Sequence, residues 1–440
     1  MTINITQRID DAPISAFQIR VVILCALVAL LDGLDIQAMA IATPRIAQEW
    51  GVAPSAFGAV LSASFAGIMV GTMLLGQLGD RFGRRRVVLL AFLFVGFASI
   101  ATAAAQSVWQ LLILRFLTGF AIGGCLPNVT ALTTEYMPSR RAGTAVTLMY
   151  SAVPLGGVLG SLVAAPIMAV ADWQGIFILG GVLPLVICVF LYFGLPESAR
   201  FLVDKGGKDD VVAATLARID KGYTPSAEDR FSLSSGKGGR ATVADLFREG
   251  RHVTTILLWT IFFFSMAVMY LLNSWLPTIF TAAGWPIGDA IRTLAFFQMG
   301  GIVGGLLGGW LLDKVGPGRV LIAAFGLGTL SLIGMGFIGG EMSSVRMLVT
   351  GAGFGIIGAQ LVLTAISAIA YPTAMRATGI GWALGMGRLG AVISPILGGL
   401  ALSGGLGGAS LFLCAAAPAL LCTSCAILLA RQLRKNAEKR

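Results

Sequence analysis

Apolar stretches long enough to cross a bilayer dominate this sequence. Runs that can cover about 30 Å of hydrocarbon occur twelve times in the 440 residues. Their approximate bounds are 20–44, 56–78, 87–105, 109–133, 143–170, 174–194, 253–280, 291–312, 318–339, 345–370, 377–402 and 408–430. Lipid offers the backbone no hydrogen-bond partners, and these runs far exceed the roughly ten residues of a barrel strand. The sequence therefore predicts an all-α, multi-pass membrane protein with twelve transmembrane helices.

The composition excludes other classes of protein. The chain is 56% hydrophobic and 12% charged, and the charged fraction is about half of what a soluble domain carries. A net charge of +10 could indicate a nucleic-acid partner, but the Lys and Arg residues fall in short segments between the apolar runs and not on one solvated face. No nucleic-acid partner is therefore expected.

No sequence motif indicates catalysis, a metal or a cofactor. The chain contains no HExxH, GxSxG or paired metal-ligand motif, and these patterns carry hydrolytic and metal chemistry. The segment GFGIIG at 353–358 satisfies GxGxxG, but it lies within an apolar run and follows no strand. The sequence therefore predicts a protein that is not an enzyme and has no cofactor.

The distribution of positive charge predicts the orientation of the chain. Of the 31 Lys and Arg residues, 26 fall in the N-terminal segment, in the loops that follow even-numbered runs or in the C-terminal segment. Only Arg45, Arg292 and Arg346 fall on the opposite side. Because positively charged loops stay on the cytoplasmic side, both termini are expected to be cytoplasmic, in the cytoplasmic (inner) membrane. The first run is longer than the about 7 to 15 apolar residues of a signal peptide, which argues against cleavage.

A polar segment and an internal repeat divide the chain into two halves. Residues 196–251 separate a six-helix half at 1–195 from another at 252–440. The segment GQLGDRFGRRR at 76–86 matches GWLLDKVGPGR at 309–319 with an offset of 233 residues, so that the aspartate, the following base, the glycine and the last arginine coincide. Duplicated halves with a site between them are typical of secondary transporters.

At this point the chain resembles the major facilitator superfamily. Its signature loop GxLxDRxGRRR is matched at 76–86, RFLTGFAIGG at 115–124 resembles its arginine and glycine motif, and PESAR at 196–200 resembles the ending of many first halves. More narrowly, an ordered set of segments is similar to the aromatic acid:proton symporter family: DGLD at 32–35, PN at 127–128, EYMPSRR at 135–141, YPTAMRATG at 371–379 and GRLG at 387–390. Within that family, LDIQA at 34–38, LMY at 148–150 and NSWLP at 273–277 are most similar to transporters of 3-(3-hydroxyphenyl)propionate.

The resemblance implies a function. It implies a secondary active transporter in the lipid bilayer that imports a small aromatic carboxylate, of the hydroxyphenylpropionate or hydroxybenzoate type, together with protons by alternating access, as a functional monomer. One alternative is another major facilitator, either a proton-coupled exporter or a sugar-type porter. An alternative from another class is a membrane sensor of aromatic acids.

Two acidic residues in the first run are candidates for proton coupling. Asp32 and Asp35 are three residues apart in an apolar run, so they share one face of a helix. Each charge costs about 2.5 to 3.5 kcal/mol at the centre of a membrane helix, and neighbouring carboxylates repel. The pair is therefore predicted to carry protons, with Arg115 and Glu135 also assigned to coupling. The alternative is a structural ion pair with an arginine.

Two arginines within the runs are candidates for the substrate carboxylate. Arg115 and Arg388 fall in the fourth and eleventh runs, which the resemblance places in opposite halves around a central cavity. A guanidinium binds a carboxylate through two parallel hydrogen bonds, although either arginine could instead hold a carboxylate of the protein. Further candidate contacts, each of which could instead bond between helices, are Gln37, Asn128, Tyr150, Tyr270, Asn273, Trp275, Gln298, Gln360 and Trp382.

The repeated loops are expected to gate the transporter. According to the resemblance, Asp80 pairs across the halves when the cytoplasmic side is closed, and Asp313 does so in the second half. The candidate gating residues are Gly76, Asp80, Arg81, Gly83, Arg84, Asp313, Lys314, Gly316, Arg319 and Arg376.

Other spacings predict helix surfaces. Glycines four residues apart let membrane helices approach closely, and Phe262, Phe263 and Phe264 are expected to face lipid. The glycine sets are Gly67 with Gly71, Gly156 with Gly160, and Gly300 with Gly304 and Gly308.

Overall fold

A computed structural model describes residues 2–206, 209–226, 229–232, 242–248, 250–337, 341–372 and 375–438. The helices among these residues are α1 (Ile5–Asp11), α2 (Ala16–Trp50), α3 (Gly58–Phe82), α4 (Arg84–Ala103), α5 (Val108–Tyr136), α6 (Ser139–Gly194), α7 (Ala199–Lys205), α8 (Asp209–Ile219), α9 (His252–Ala282), α10 (Ile287–Val315), α11 (Pro317–Phe337), α12 (Met342–Ala370), α13 (Arg376–Ser403) and α14 (Gly408–Glu438). Short 3-10 helices lie at Pro54–Phe57 and Val243–Phe247.

The long helices have the length and composition of membrane spans. In the described ranges ten helices qualify singly, and α1 with α2, which meet at a bend of 103°, would add an eleventh. Helix α6 has 56 residues, about 84 Å at 1.5 Å per residue, which is far more than one bilayer crossing needs. Its backbone leaves helical geometry at Ala171 and Asp172, where the sequence predicts a gap between two spans.

The prediction of an all-α chain needs one correction. Strands β1 (Thr2–Asn4) and β2 (Arg230–Ser232) form a two-stranded parallel sheet, which joins the N-terminal segment to the polar segment between the halves. Helix α1 also contacts α8. The bundle itself is helical, and this small sheet lies outside the helices that qualify as spans.

The same helix pairs form in both halves, as the repeat predicts. In the first half α3 packs on α5, and in the second α10 packs on α12. A Cβ atom built on Gly71 would lie 1.9 Å from the carbonyl oxygen of Phe120, and one on Gly300 would lie 2.1 Å from that of Thr350. Side chains cannot fit at these points, so the glycines allow the backbones to touch.

A second equivalent pair is α2 with α6 and α9 with α13. A Cβ on Gly33 would lie 1.8 Å from the carbonyl oxygen of Val153, and one on Gly390 would lie 2.2 Å from that of Phe263. Each half is therefore held together by helix pairs that meet backbone to backbone.

The two signature loops share an unusual backbone conformation. Gly83 and Gly316 have φ angles of 100° and 91°, in a region that favours glycine because it has no Cβ. Each donates its backbone N–H to the last turn of the preceding helix, Gly83 to Gly79 and Gly316 to Leu312. The sequence repeat is therefore also a structural repeat.

One prediction about lipid contact is wrong. Phe262 is fully buried in a cluster that includes Leu258 and Tyr371, whereas Phe263 and Phe264 are half-buried. Helix α9 is covered by α13, α14, α10 and α12, so one face of this aromatic run points into the bundle.

The halves contact each other through α3 with α13, α6 with α10 and α2 with α9. A Cβ on Gly58, at the first residue of α3, would lie 2.8 Å from the carbonyl oxygen of Pro395. We call the end of the bundle that carries Arg84, Arg140, Arg319 and Arg376 the basic face, and the end that carries Pro54–Phe57 the opposite face.

We expect Gly33→Ala to destabilise the protein, because the new methyl group would collide with the backbone of α6. Overpacking of this kind costs about 1 to 3 kcal/mol. Thermal unfolding in detergent measures the loss. Gly326→Ala on α11 is the control, since nothing lies within 4 Å of the added Cβ; equal melting temperatures for the two variants would contradict the close contact.

Candidate functional site

Asp32 and Asp35 lie in the middle of α2 and are both buried. Although they share one side of the helix, they have different partners. Both line one small cavity inside the first half, together with Cys125 of α5, but Asp35 is the one that reaches Arg115. This difference in partners separates the possible roles of Asp32 and Asp35.

Asp35 forms an ion pair with Arg115. The Arg115 Nη1 atom lies 3.2 Å from Asp35 Oδ1, and Nη2 donates to Thr102 Oγ1 at 2.8 Å and to Thr118 Oγ1 at 3.0 Å. The guanidinium carbon lies 4.9 Å from the centroid of the Phe177 ring. Arg115 is 1% exposed, and all these neighbours belong to the first half, so the structure does not bring it to Arg388 as a second substrate arginine.

Asp32 is differently placed. Its Oδ1 atom is buried and has no hydrogen-bond partner among the described residues. Arg388 and Tyr270, which both belong to the second half, lie within electrostatic range of this carboxylate. A buried carboxylate with an unused oxygen can take up a proton without breaking an existing ion pair.

Arg388 lies on α13 where the two halves meet. It is half-buried, and its Nη1 atom donates to the backbone carbonyl of Ile68 on α3 over 3.5 Å. Nearby the rings of Phe65 on α3 and Tyr270 on α9 face each other with centroids 4.4 Å apart. The boundary therefore combines two aromatic rings from opposite halves with a guanidinium that makes one long hydrogen bond within the described part of the chain.

Phe65 is a member of this group that sequence reasoning misses. One phenylalanine among many in apolar runs carries no signal of its own. Its position opposite Tyr270 is a property of how the halves meet.

A group of amide side chains also crosses the boundary. Gln37 Oε1 accepts from Ser161 Oγ at 2.9 Å, and Gln298 Nε2 donates to Asn273 Oδ1 at 3.3 Å. The two glutamines approach each other over Gly157, where an added Cβ would lie 2.2 Å from Gln37 Nε2 and 2.9 Å from Gln298 Nε2. Gln37 Nε2 is a buried donor without a partner among the described residues, so this group can offer hydrogen bonds to a ligand.

Two predicted ligand residues instead join helices. Asn128 Nδ2 donates to the carbonyl groups of Leu75, at 3.2 Å, and Gly124, at 2.7 Å, so it fastens α5 to α3. Trp275 is fully buried, and its Nε1 atom donates to the carbonyl of Pro395 at 3.1 Å. In this conformation the N–H donors of both side chains have backbone partners on neighbouring elements or in their own helix.

The remaining candidates are Tyr150, Trp382 and Gln360. The Tyr150 hydroxyl accepts from Thr130 Oγ1 at 3.1 Å, which ties α6 to α5. Trp382 is exposed and stacks on Trp259 with centroids 5.9 Å apart. Gln360 accepts from Ser265 Oγ at 2.6 Å. Each of these three side chains contacts a protein residue that is not a member of the amide group of Gln37, Gln298 and Asn273.

Glu135 does not lie with the other carboxylates assigned to coupling. It is near the end of α5 at the basic face, where it accepts hydrogen bonds from Arg84 and Ser198. Arg84 also pairs with Asp80 at 3.1 Å, and the Asp80 side chain is 72% exposed. This network joins the signature loop to the segment after α6, so Glu135 lies beside the candidate gating residues Asp80 and Arg84.

The other gating candidates are distributed over both halves. Gly76 packs near Pro127, and Arg81 lies over the ring of Phe82. Lys314 Nζ lies 3.8 Å from the centroid of the Trp310 ring. Arg319 is exposed near the start of α11, Arg376 begins α13, and the side chain of Asp313 lies outside the described part of the structure.

Comparison with known proteins decides the family. The family model described as Major Facilitator Superfamily matches residues 25–395. The chain belongs to the Major Facilitator Superfamily. It is a multi-pass membrane transporter and not an enzyme. Among the described residues no group of His, Cys, Asp and Glu could hold a metal ion.

Several superfamily members that are similar in sequence carry the names of aromatic acid transporters. The chain is 37% identical to a gallate transporter of Pseudomonas putida, covering 95% of this chain and 93% of the relative. It is 37% identical to a 4-hydroxybenzoate transporter of the same species, covering 92% and 90%. It is 34% identical to a 3-(3-hydroxy-phenyl)propionate transporter of Escherichia coli K12, covering 92% of each.

A solved structure supports the major facilitator fold. A bacterial homologue of the human lysosomal transporter Spinster aligns with a TM-score of 0.73 at 16% identity, covering 96% of this chain and 98% of the other.

We expect the buried pair of Asp35 and Arg115 to show strong coupling in a double-mutant cycle. Removal of one partner leaves a buried charge uncompensated, which costs about 3 to 5 kcal/mol, so Asp35→Asn combined with Arg115→Gln should lose less stability than the sum of the single variants. Unfolding in detergent measures the loss of stability in each single variant and in the double variant.

The pair of Arg230 and Asp209, with side chains 75% and 31% exposed and a single hydrogen bond between them, is the control. Exposed pairs contribute about 0 to 1 kcal/mol. Additive losses at Asp35 and Arg115 would show that the two charges do not depend on each other.

Proposed function

We propose that the chain is a proton-coupled symporter that imports a small aromatic carboxylate by alternating access. The observation that carries this proposal is the position of Asp32 and Arg388 on opposite sides of the boundary between the halves, within electrostatic range of each other. The named relatives transport hydroxylated aromatic acids, which supports a substrate of the hydroxybenzoate or hydroxyphenylpropionate type.

We propose twelve spans with both termini in the cytoplasm. The break at Ala171 and Asp172 divides α6 into two crossings, and α2, α3, α4, α5 and α9 to α14 supply ten more. The basic face then corresponds to the cytoplasmic side of the inner membrane, since Lys and Arg accumulate there. Twelve spans in two halves of six enclose a complete boundary site, so a monomer suffices for transport.

Substrate recognition follows from the chemistry of the boundary. Arg388 can bind the carboxylate through two parallel hydrogen bonds, because among the described residues its guanidinium makes one long hydrogen bond, to the backbone carbonyl of Ile68. The rings of Phe65 and Tyr270 offer aromatic surfaces for the ring of the substrate. The free donor of Gln37 and its neighbours Gln298 and Asn273 are available to the ring hydroxyl groups.

Coupling follows from charge balance. When Arg388 binds the substrate carboxylate, its positive charge no longer compensates Asp32. A proton on Asp32 then removes the uncompensated charge, so substrate and proton are bound together. Asp35 keeps its arginine throughout, because Arg115 is already held by Thr102 and Thr118.

The conformation supports an assignment to one stage of the cycle. The contacts between halves described above lie at mid-span and toward the opposite face, such as Gly58 with Pro395. At the basic face Asp80 pairs within its own half instead of across the boundary. We therefore assign this conformation to the stage that is open toward the cytoplasm.

We expect Asp32→Asn to separate coupling from transport. Proteoliposomes with the unmodified protein should accumulate labelled 4-hydroxybenzoate when the interior is made alkaline. The variant should lose this accumulation, because an amide cannot carry the proton, and should still exchange labelled for unlabelled substrate.

Asp204→Asn is the control, because Asp204 is an exposed carboxylate at the basic face. Accumulation that survives in Asp32→Asn would reject the proton role of Asp32. Absence of exchange by the unmodified protein would favour a sensor, and accumulation only with an acidic interior would favour an exporter.

We expect Arg388→Lys to weaken substrate binding by about tenfold or more, because lysine keeps the charge but loses the bidentate fork. Isothermal titration of the purified protein with gallate and 4-hydroxybenzoate measures the change. Arg292→Lys, an exposed residue near the opposite face, is the control. If the two variants bind the substrate with equal affinity, Arg388 has a structural role and does not contact the substrate.

A further inference from the structure

A cavity outside the boundary site lies at the basic face of the first half. It has a volume of about 770 Å³. Its walls are the start of α2, the loop between α3 and α4, the end of α6, and helices α7 and α8. None of the residues assigned above to substrate or proton binding lines it.

The cavity is strongly positive. Its lining contains six basic and two acidic side chains, and none of the six forms an ion pair with a described carboxylate. One of the acids, Glu197, accepts from the backbone N–H groups of Arg85 at 3.1 Å and Ser198 at 2.9 Å. The basic residues are Arg20, Arg81, Arg85, Arg86, Lys205 and Arg218, and the second acid is Asp210.

Two of the arginines, Arg20 and Arg85, form hydrogen bonds to backbone carbonyl groups and keep further N–H donors. Arg20 Nη2 donates to the carbonyl groups of Phe193, at 3.2 Å, and Gly194, at 2.9 Å. Arg85 Nη2 donates to the carbonyl of Tyr192, while its Nε atom is buried without a partner among the described residues. Fixed guanidinium groups with unused N–H donors are suited to phosphate oxygens.

The remaining basic side chains are more accessible. Arg86, Lys205 and Arg218 are exposed, and Arg218 lies over the ring of Phe17 at 5.7 Å. They come from three separate elements, namely α4, α7 and α8. Basic side chains would therefore surround an anion in the cavity on several sides.

An apolar surface adjoins this cavity. Tyr192 and Phe193, at the end of α6, are 58% and 79% exposed, as is typical of aromatic residues at a membrane interface. Leu90 and Phe97 on α4 and Phe190 on α6 are also exposed. A soluble phosphate compound would use the charges but not this surface.

We propose that the cavity binds the phosphate headgroup of an anionic phospholipid whose acyl chains lie along the exposed faces of α4 and α6. Basic pockets beside membrane helices on the cytoplasmic side bind such headgroups. Because Arg81, Arg85 and Arg86 belong to the signature loop, while Lys205 and Arg218 belong to the segment between the halves, the bound lipid would link these two regions.

Native mass spectrometry of the detergent-purified full chain tests this proposal with tetraoleoyl cardiolipin and dioleoyl phosphatidylglycerol as probes. The pocket variant combines Arg86→Gln, Lys205→Gln and Arg218→Gln. Each basic residue near an anionic surface contributes about fivefold, so cardiolipin binding should weaken by about a hundredfold. The control removes the same charge from exposed residues of the same face, with Arg141→Gln, Arg319→Gln and Arg431→Gln, and should bind cardiolipin as the unmodified chain does.

Several results would overturn the proposal. These are unchanged binding by the pocket variant, equal weakening in the control, equal binding of dioleoyl phosphatidylcholine, and displacement of the lipid by equimolar inorganic phosphate or glycerol 1-phosphate. The last result would point to a soluble ligand. If the triple variant does not fold, Arg218→Gln on the short helix α8 must weaken cardiolipin binding by itself, and failure to do so also rejects the site.

Discussion

Backbone contact between helices is the constraint on which this structure depends. In hydrocarbon the hydrophobic effect does not drive helices together, so association relies on close packing. Gly33 against Val153 and Gly71 against Phe120 bring helices together to the point where no side chain fits, and equivalent contacts recur in the second half. These pairs fix each half internally.

The two intramembrane arginines differ because of their neighbours. Arg115 is surrounded by an acid, two hydroxyl groups and a ring from its own half, so any ligand would have to displace a complete set of partners. Among the described residues, Arg388 has one long hydrogen bond, to a carbonyl of the other half. A charged group with few partners can exchange them at lower cost than a group that has a full set.

Much of the fold follows from the sequence, because run length, positive charge and the repeated loop each report a property of one segment. The helical bundle, the matching halves and the glycine contacts are all predictable in this way. The hydrogen-bond partners of Asn128, Glu135 and Trp275 are not, since the same polar or aromatic side chain can face a ligand or a neighbouring helix. The pairing of β1 with β2 also cannot be predicted from the sequence, because three-residue strands more than two hundred residues apart leave no periodic signal.

The repeat also provides an internal comparison for the positive charge of the basic face. Cytoplasmic loops of membrane proteins in general carry an excess of Lys and Arg, and the second loop contains Lys314 and Arg319. The first loop has three consecutive arginines at 84–86, where the second has proline, glycine and arginine at 317–319. Arg84 binds Glu135, but Arg85 and Arg86 line a cavity with basic residues from other elements. This excess over the symmetric partner favours a ligand at the first half in addition to a topological role.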